Sequence, residues 1–158
     1  MTIENPDLHF MRMALDLAVH ARDTHGEIPV GALVVNAQGE VIGRGFNRNI
    51  MDRDPSAHAE MVALREAGAA ADNHRLLGCT VYVTLEPCTM CAMAMIHARV
   101  GRVVYGAADP KTGADGSVFN VLTDERHNHK LLVTGGVLAE ACGTLLTDFF
   151  RGRRSRRV

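Results

Sequence analysis

Thr80-Val81-Tyr82-Val83-Thr84-Leu85-Glu86-Pro87-Cys88-Thr89-Met90-Cys91 is the stretch whose reading settles the architecture. Its first half alternates, with Val81, Val83 and Leu85 on one face and Thr80, Tyr82 and Thr84 on the other, which predicts a strand. Pro87 then opens a helix running to about Ala98, because proline suits the first helical turn. Val100 to Tyr105 reads as a further short strand.

Upstream, Phe10, Met13, Ala14, Leu17 and Ala21 recur at helical spacing over roughly 7–25, and Gly26 is placed to end that helix. Val30 to Val35 and Val41 to Phe46 are two extended runs joined by the turn Asn36-Ala37-Gln38-Gly39, which predicts a hairpin. Asp54-Pro55 supplies a cap and a first-turn proline for a helix over about 55–71. Downstream, 106–130 is a polar loop, and a loop of that length in a compact domain usually serves function. Leu131 to Thr134 is a last strand, Gly135-Gly136 a turn, and Leu138, Ala141, Cys142, Leu145, Leu146 and Phe149 mark one face of a closing helix. The order is α-β-β-α-β-α-β-β-α. It predicts an α/β fold of three layers, α/β/α, with a central mixed sheet of about five strands covered by helices.

The chain has 158 residues, 47% of them hydrophobic, with 17 basic and 18 acidic side chains. That suits one domain and excludes a disordered chain. No apolar run approaches the roughly 20 residues of a membrane span, and the first ten residues lack the basic cluster of a secretory signal. The default is a soluble cytoplasmic protein. The net charge of -1 hides an asymmetry, because Arg151, Arg153, Arg154, Arg156 and Arg157 crowd the last eight positions. Without those five the balance is 12 against 18, an acidic body with a basic end. The expected division is a domain over 1–150 and a basic tail over 151–158.

Two short motifs carry chemistry: His58-Ala59-Glu60 at one helix start and Pro87-Cys88-Thr89-Met90-Cys91 at the next. Thiols three apart in a first helical turn share a face and are favoured as thiolates by the helix dipole. Two thiolates with one imidazole suit zinc, and three protein ligands leave the fourth position that catalytic zinc keeps for water. A redox pair is the other reading of a lone C-x-x-C. Cys79 and Cys142 could each in principle be a fourth ligand, but Cys142 falls on an apolar stripe and Cys79 precedes a complete strand, so both read as buried small hydrophobes. Glu60 is the natural proton carrier for water activated by the metal. Positions two apart do not share a face of an ideal helix, so Glu60 must reach round or the helix must begin just there.

At these residues the sequence resembles the zinc-dependent cytidine and nucleobase deaminase superfamily, and within it the bacterial tRNA adenosine deaminases. The resemblance extends through Ile28-Pro29-Val30-Gly31-Ala32, Gly45-Phe46-Asn47-Arg48, Asp54 to Glu60, Tyr82 to Cys88, Met90-Cys91-Ala92, Ala94 to His97, Asp109 to Gly113, and Asp148 to Arg151. It implies a cytidine deaminase-like fold, one zinc per subunit held by His58, Cys88 and Cys91, and hydrolytic conversion of adenosine to inosine at the wobble position of a tRNA anticodon. In that reaction zinc-bound hydroxide would attack C6 of the flipped adenine, with Glu60 shuttling the proton and Asn47 bonding the target nucleoside. The resemblance further implies a homodimer that binds a tRNA anticodon stem-loop. Asn49 stands where many relatives have proline, which bears on loop shape and not on zinc chemistry.

Lys111, Arg151, Arg153 and Arg154 are the RNA-contact candidates, since cationic side chains supply sequence-independent attraction to phosphate. His97 reads as a structural histidine at a helix end, His127 and His129 as loop residues near RNA or solvent, and Met90, Met93 and Met95 as core and dimer filling. His9, His20 and His25 read as surface residues of the first helix. The rival functions are a free nucleobase or nucleoside deaminase acting on guanine or cytosine, and a non-catalytic zinc-stabilised RNA-binding module.

Overall fold

The computed structural model describes residues 5–155; Arg156 and Arg157 of the basic end lie outside them. The elements are α1 (Pro6–His25), β1 (Gly31–Val35), β2 (Val41–Phe46), α2 (Ala59–Ala71), β3 (Thr80–Leu85), α3 (Thr89–His97), β4 (Arg102–Ala107), β5 (Leu132–Thr134) and α4 (Ala139–Ser155). The expected element order is therefore present in full. Among the described residues no helix is long and apolar enough to cross a membrane.

Local chemistry sets the ends of α1. The Asn5 side chain accepts from Asp7 N, Pro6 occupies the first turn, and at the other end, with Gly26 at φ 65°, Gly26 N–H donates to Arg22 O and Glu27 N–H to Ala21 O. The five strands form one sheet in the order β2-β1-β3-β4-β5. β1 runs antiparallel to both β2 and β3, whereas β3, β4 and β5 are mutually parallel.

Alternation along the strands sorts the core into two layers. Ala32, Val34, Val81, Val83 and Val103 pack with α2 and α3 on one face. Leu33, Val35, Tyr82 and Val104 pack with Phe10, Met11 and Ala14 of α1 and Cys142 of α4 on the other. Two glycines bring α2 close: a Cβ added at Gly43 or Gly45 would strike the Ala63 or Ala59 carbonyl. Only glycine in β2 lets the backbone of α2 lie directly on that strand.

Two helix starts differ from the expectation. α2 begins at Ala59 and not near 55, because Asp54 Oδ1 accepts from Ser56 N (2.8 Å) and Ser56 Oγ (2.7 Å), closing a turn in place of capping a helix. α3 begins at Thr89, two residues past Pro87, with Cys88 extended at φ −77°, ψ 175°. α4 runs on through position 151, so Arg151, Arg153 and Arg154 belong to its last turns.

Candidate active site and metal centre

The site is assembled from two helix N-termini on one side of the sheet. His58 is the residue before α2 and is extended (φ −71°, ψ 154°), while Glu60 is already helical. The break between them removes the facing problem of two residues on one helix, and both side chains reach the same cleft. The start of α2 is pinned from β2: Asn47 Oδ1 accepts from Ala59 N at 2.9 Å. With its oxygen committed there, the Asn47 amide has its Nδ2 donor left for the cleft it lines.

His58 Nδ1 lies 3.6 Å from Cys88 Sγ and 3.5 Å from Cys91 Sγ. A tetrahedral ion with Zn–S of about 2.3 Å and Zn–N of about 2.0–2.1 Å requires N···S edges of roughly 3.6 Å. All three ligand atoms lie within 4.8 Å of one another. Protonation points the same way. The hydrogen bond from the Cys91 thiol pulls Cys88 down to about 4, burial opposing, and that same bond pushes Cys91 up. Metal binding takes the thiols as thiolates, so it releases protons from the site. The triad fits one zinc ion per chain.

Glu60 is 4% exposed, and burial pushes its carboxyl up to about 7 despite its place in a first helical turn. A carboxyl near neutrality beside a metal site can accept and return protons within one turnover. The cleft over it has a volume of about 790 Å3. Ile28, Val30 and Leu85 line it beside Asn47, His58, Glu60 and Cys88, and Lys111, Arg153 and Arg154 line its outer part. The cations sit on aromatic faces: Lys111 Nζ is 5.8 Å from the Phe150 ring centre, and Arg153 Cζ is 5.4 Å from that of Phe149. Arg151 turns instead toward Asp148, at 3.7 Å.

Other sequence-marked residues have structural places. Cys79 and Cys142 are buried in the two core layers, away from the triad. His97 is exposed at the end of α3. His127 Nε2 meets Val121 O at 2.6 Å and His129 Nε2 meets Val100 O at 2.7 Å, so both fasten the long loop. Met95 is fully buried, whereas Met90 and Met93 are half-buried. Asn49 closes its loop with a side-chain bond, Nδ2 donating to Asp54 O at 2.9 Å.

Sequence reasoning passed over two buried carboxylates. Glu27, 1% exposed, accepts from Ile50 N (3.1 Å) and Met51 N (2.8 Å) and so holds the loop after Asn47. Glu86, 2% exposed, organises the loop after β4 on the opposite wall. The only signal for Glu86 was its place between a buried strand and Pro87-Cys88, which contains no statement about its partners.

A helix-flanked mixed sheet that brings one imidazole and two thiols to a buried glutamate is the arrangement of a zinc deaminase. Residues 4–107 match the family described as the cytidine and deoxycytidylate deaminase zinc-binding region, and the chain belongs to that family. Within it the chain is similar to the tRNA-specific adenosine deaminase of Haemophilus influenzae, at 52% identity over 96% of this chain and 87% of the relative. A solved structure from biochemical and structural studies of A-to-I editing by tRNA:A34 deaminases at the wobble position of transfer RNA superposes with a TM-score of 0.82. It is 41% identical and covers 87% of this chain and 99% of its own. A guanine deaminase from Nitrosomonas europaea superposes at 0.79 with 28% identity, covering 94% of this chain and 86% of its own.

Proposed function

We propose that this protein hydrolyses adenosine to inosine, with release of ammonia, at the wobble position of a tRNA anticodon. The observation that carries the reading is a buried Glu60 beside a zinc-fitting triad, in a cleft whose outer part is cationic. The similarity to a tRNA-specific adenosine deaminase over nearly the whole chain supplies the substrate.

His58 Nδ1 and the Cys88 and Cys91 thiolates would hold the zinc, which would acidify a bound water enough to make it a nucleophile near neutral pH. Glu60 is the group that accepts a proton from the attacking water and delivers it to ring N1. Glu60 then carries the second proton to the exocyclic nitrogen, the C6–N bond breaks, and ammonia departs. Asn47 donates through Nδ2 to the target nucleoside, its Oδ1 staying on Ala59 N. The target base must leave its stack to enter the cleft, as enzymes acting on base edges require. The apolar side chains of Ile28, Val30 and Leu85 give it a dry wall.

Lys111, Arg153 and Arg154 attract the flanking phosphates, with Arg151 adding to the field of the basic end. The catalytic unit spans 1–150 in this reading, and 151–158 serves RNA. Half-buried Met61, Leu64, Met90 and Met93 on α2 and α3 support a homodimer, in which a second copy covers them. A tRNA substrate supports a cytoplasmic location.

The similarity to a guanine deaminase favours one second reading, deamination of a free base in the same cleft. Ammonia release separates the two. Zinc-loaded protein is incubated with an anticodon stem-loop carrying a wobble adenosine, and separately with free adenosine, guanine and cytosine. Release from the stem-loop alone supports the proposal, and release from a free base alone overturns it.

A further inference from the structure

Among the described residues three glutamates are buried, Glu27, Glu60 and Glu86. Glu60 serves the chemistry. Glu86 follows the end of β3; its backbone N–H donates to Ala107 O of β4, and its carboxylate bonds go to one loop, 109–117, that follows β4. Glu86 Oε1 accepts from Asp109 N at 3.0 Å and from the Ser117 hydroxyl, while Oε2 accepts from Asp115 N at 2.7 Å and Ser117 N at 3.4 Å. Gly113 lies against the same carboxylate so closely that an added Cβ would collide with it. The loop therefore wraps around a buried anion.

That loop is a wall of the cleft. Asp109, Pro110, Lys111 and Thr112 all line it. Asp109 in turn shapes the segment, its Oδ1 accepting from Lys111 N at 2.9 Å and its Oδ2 from the Thr112 hydroxyl at 2.9 Å. A chain of bonds thus runs from Glu86 through Asp109 to the backbone of Lys111. We propose that Glu86 is a positioning residue for substrate: it fixes the 109–112 wall and the Lys111 cation at the height where an RNA strand passes. It sets the affinity for RNA and leaves the chemical step to Glu60. The inference rests on the RNA-deaminase reading given above.

The variants are Glu86→Gln and Gly113→Ala. In Glu86→Gln the amide nitrogen settles at the Oε1 position, because the Ser117 hydroxyl can turn and accept, whereas Asp115 N and Ser117 N cannot. The bond from Asp109 N is then lost and the wall is released. Gly113→Ala crowds the same carboxylate from the loop side and leaves its charge intact. Measured on the stem-loop, KM should rise about tenfold or more in both variants, the scale of one lost charge-assisted hydrogen bond, with kcat changing far less. Zinc content should stay at the wild-type ratio, and amide exchange at Asp109 should quicken. A fall in kcat with KM unmoved, loss of zinc, or unchanged exchange at Asp109 would overturn the inference. Inactivity of the wild-type protein on the stem-loop would count against the deaminase reading instead, and the exchange measurement would still decide whether Glu86 holds the loop.

Discussion

The proposed function gives Asn47 two separable jobs, and a pair of substitutions pulls them apart. Its Oδ1 satisfies the first backbone N–H of α2, that of Ala59, a residue with no exposure. Its Nδ2 is the donor left for substrate. Asn47→Ala removes both and strands a buried N–H, which costs about 1–3 kcal/mol. At about 3 °C per kcal/mol, the middle of the range for a chain of this size, Tm should drop by roughly 3–9 °C. Asn47→Asp keeps an oxygen opposite Ala59 N, and a carboxylate is favoured at a helix N-terminus, so Tm should stay within about 3 °C of wild type. Both variants lose the donor, and the loss of one donor aimed at the reacting substrate lowers kcat/KM by about 10²–10³-fold. Calorimetry and stem-loop kinetics on the two zinc-loaded variants read these effects. Asn47→Asp as unstable as Asn47→Ala would refute the cap, and near-wild-type activity in Asn47→Asp would refute the donor.

Glu60→Gln should keep stoichiometric zinc by elemental analysis while turnover falls about 10²–10⁴-fold, the worth of a positioned proton carrier; loss of zinc together with folding would favour a structural role for the site. Replacing Lys111, Arg153 and Arg154 together by Ala should weaken RNA binding at low salt and flatten the slope of log K against log salt by about 2, from roughly 0.7 per cation on a single strand. An unchanged slope would remove these side chains from the RNA path. Asp7 ties α1 to the sheet through Arg102 (2.7 Å) and the Tyr82 hydroxyl (2.9 Å), and the Arg102 hydrogen bond holds its carboxyl below the usual value of 3.8. A depressed acid contributes stability above its unfolded value and loses it as pH falls through its folded one. Because both partners are partly exposed, Asp7→Asn should cost only about 1 kcal/mol at pH 7, with the difference from wild type shrinking as pH falls below the usual carboxylate range. A difference that grew as pH fell would refute this sign.

The parts of the molecule that local chemistry governs were readable from the chain. Alternation in 80–85 marked a strand, whose second face, with Tyr82 and Thr84, is buried as well, and the spacing of Cys88 and Cys91 at a helix start marked the metal centre. Gly26 ended α1 for the reason its sequence position suggested. The start of α2 was misjudged because Asp54 can cap a helix or close a turn, and the choice is made by Asn47, twelve positions upstream, which captures Ala59 N. That correction matters to function, since it places His58 and Glu60 on opposite sides of a helix boundary. Glu27 and Glu86 were invisible for a deeper reason. Each is satisfied by backbone N–H groups more than twenty positions away, and such a bond leaves no periodicity and no preferred residue type at its far end.

The central claim is position-specific conversion of adenosine to inosine. A full-length tRNA with adenosine at the wobble position, and other adenosines throughout, is incubated with the zinc-loaded protein, cut into defined fragments, and each fragment's nucleosides are quantified by mass spectrometry. The account predicts inosine in the anticodon fragment, approaching one per tRNA, and none elsewhere. Inosine spread over other fragments, or none in the anticodon while free guanine is consumed, would contradict it.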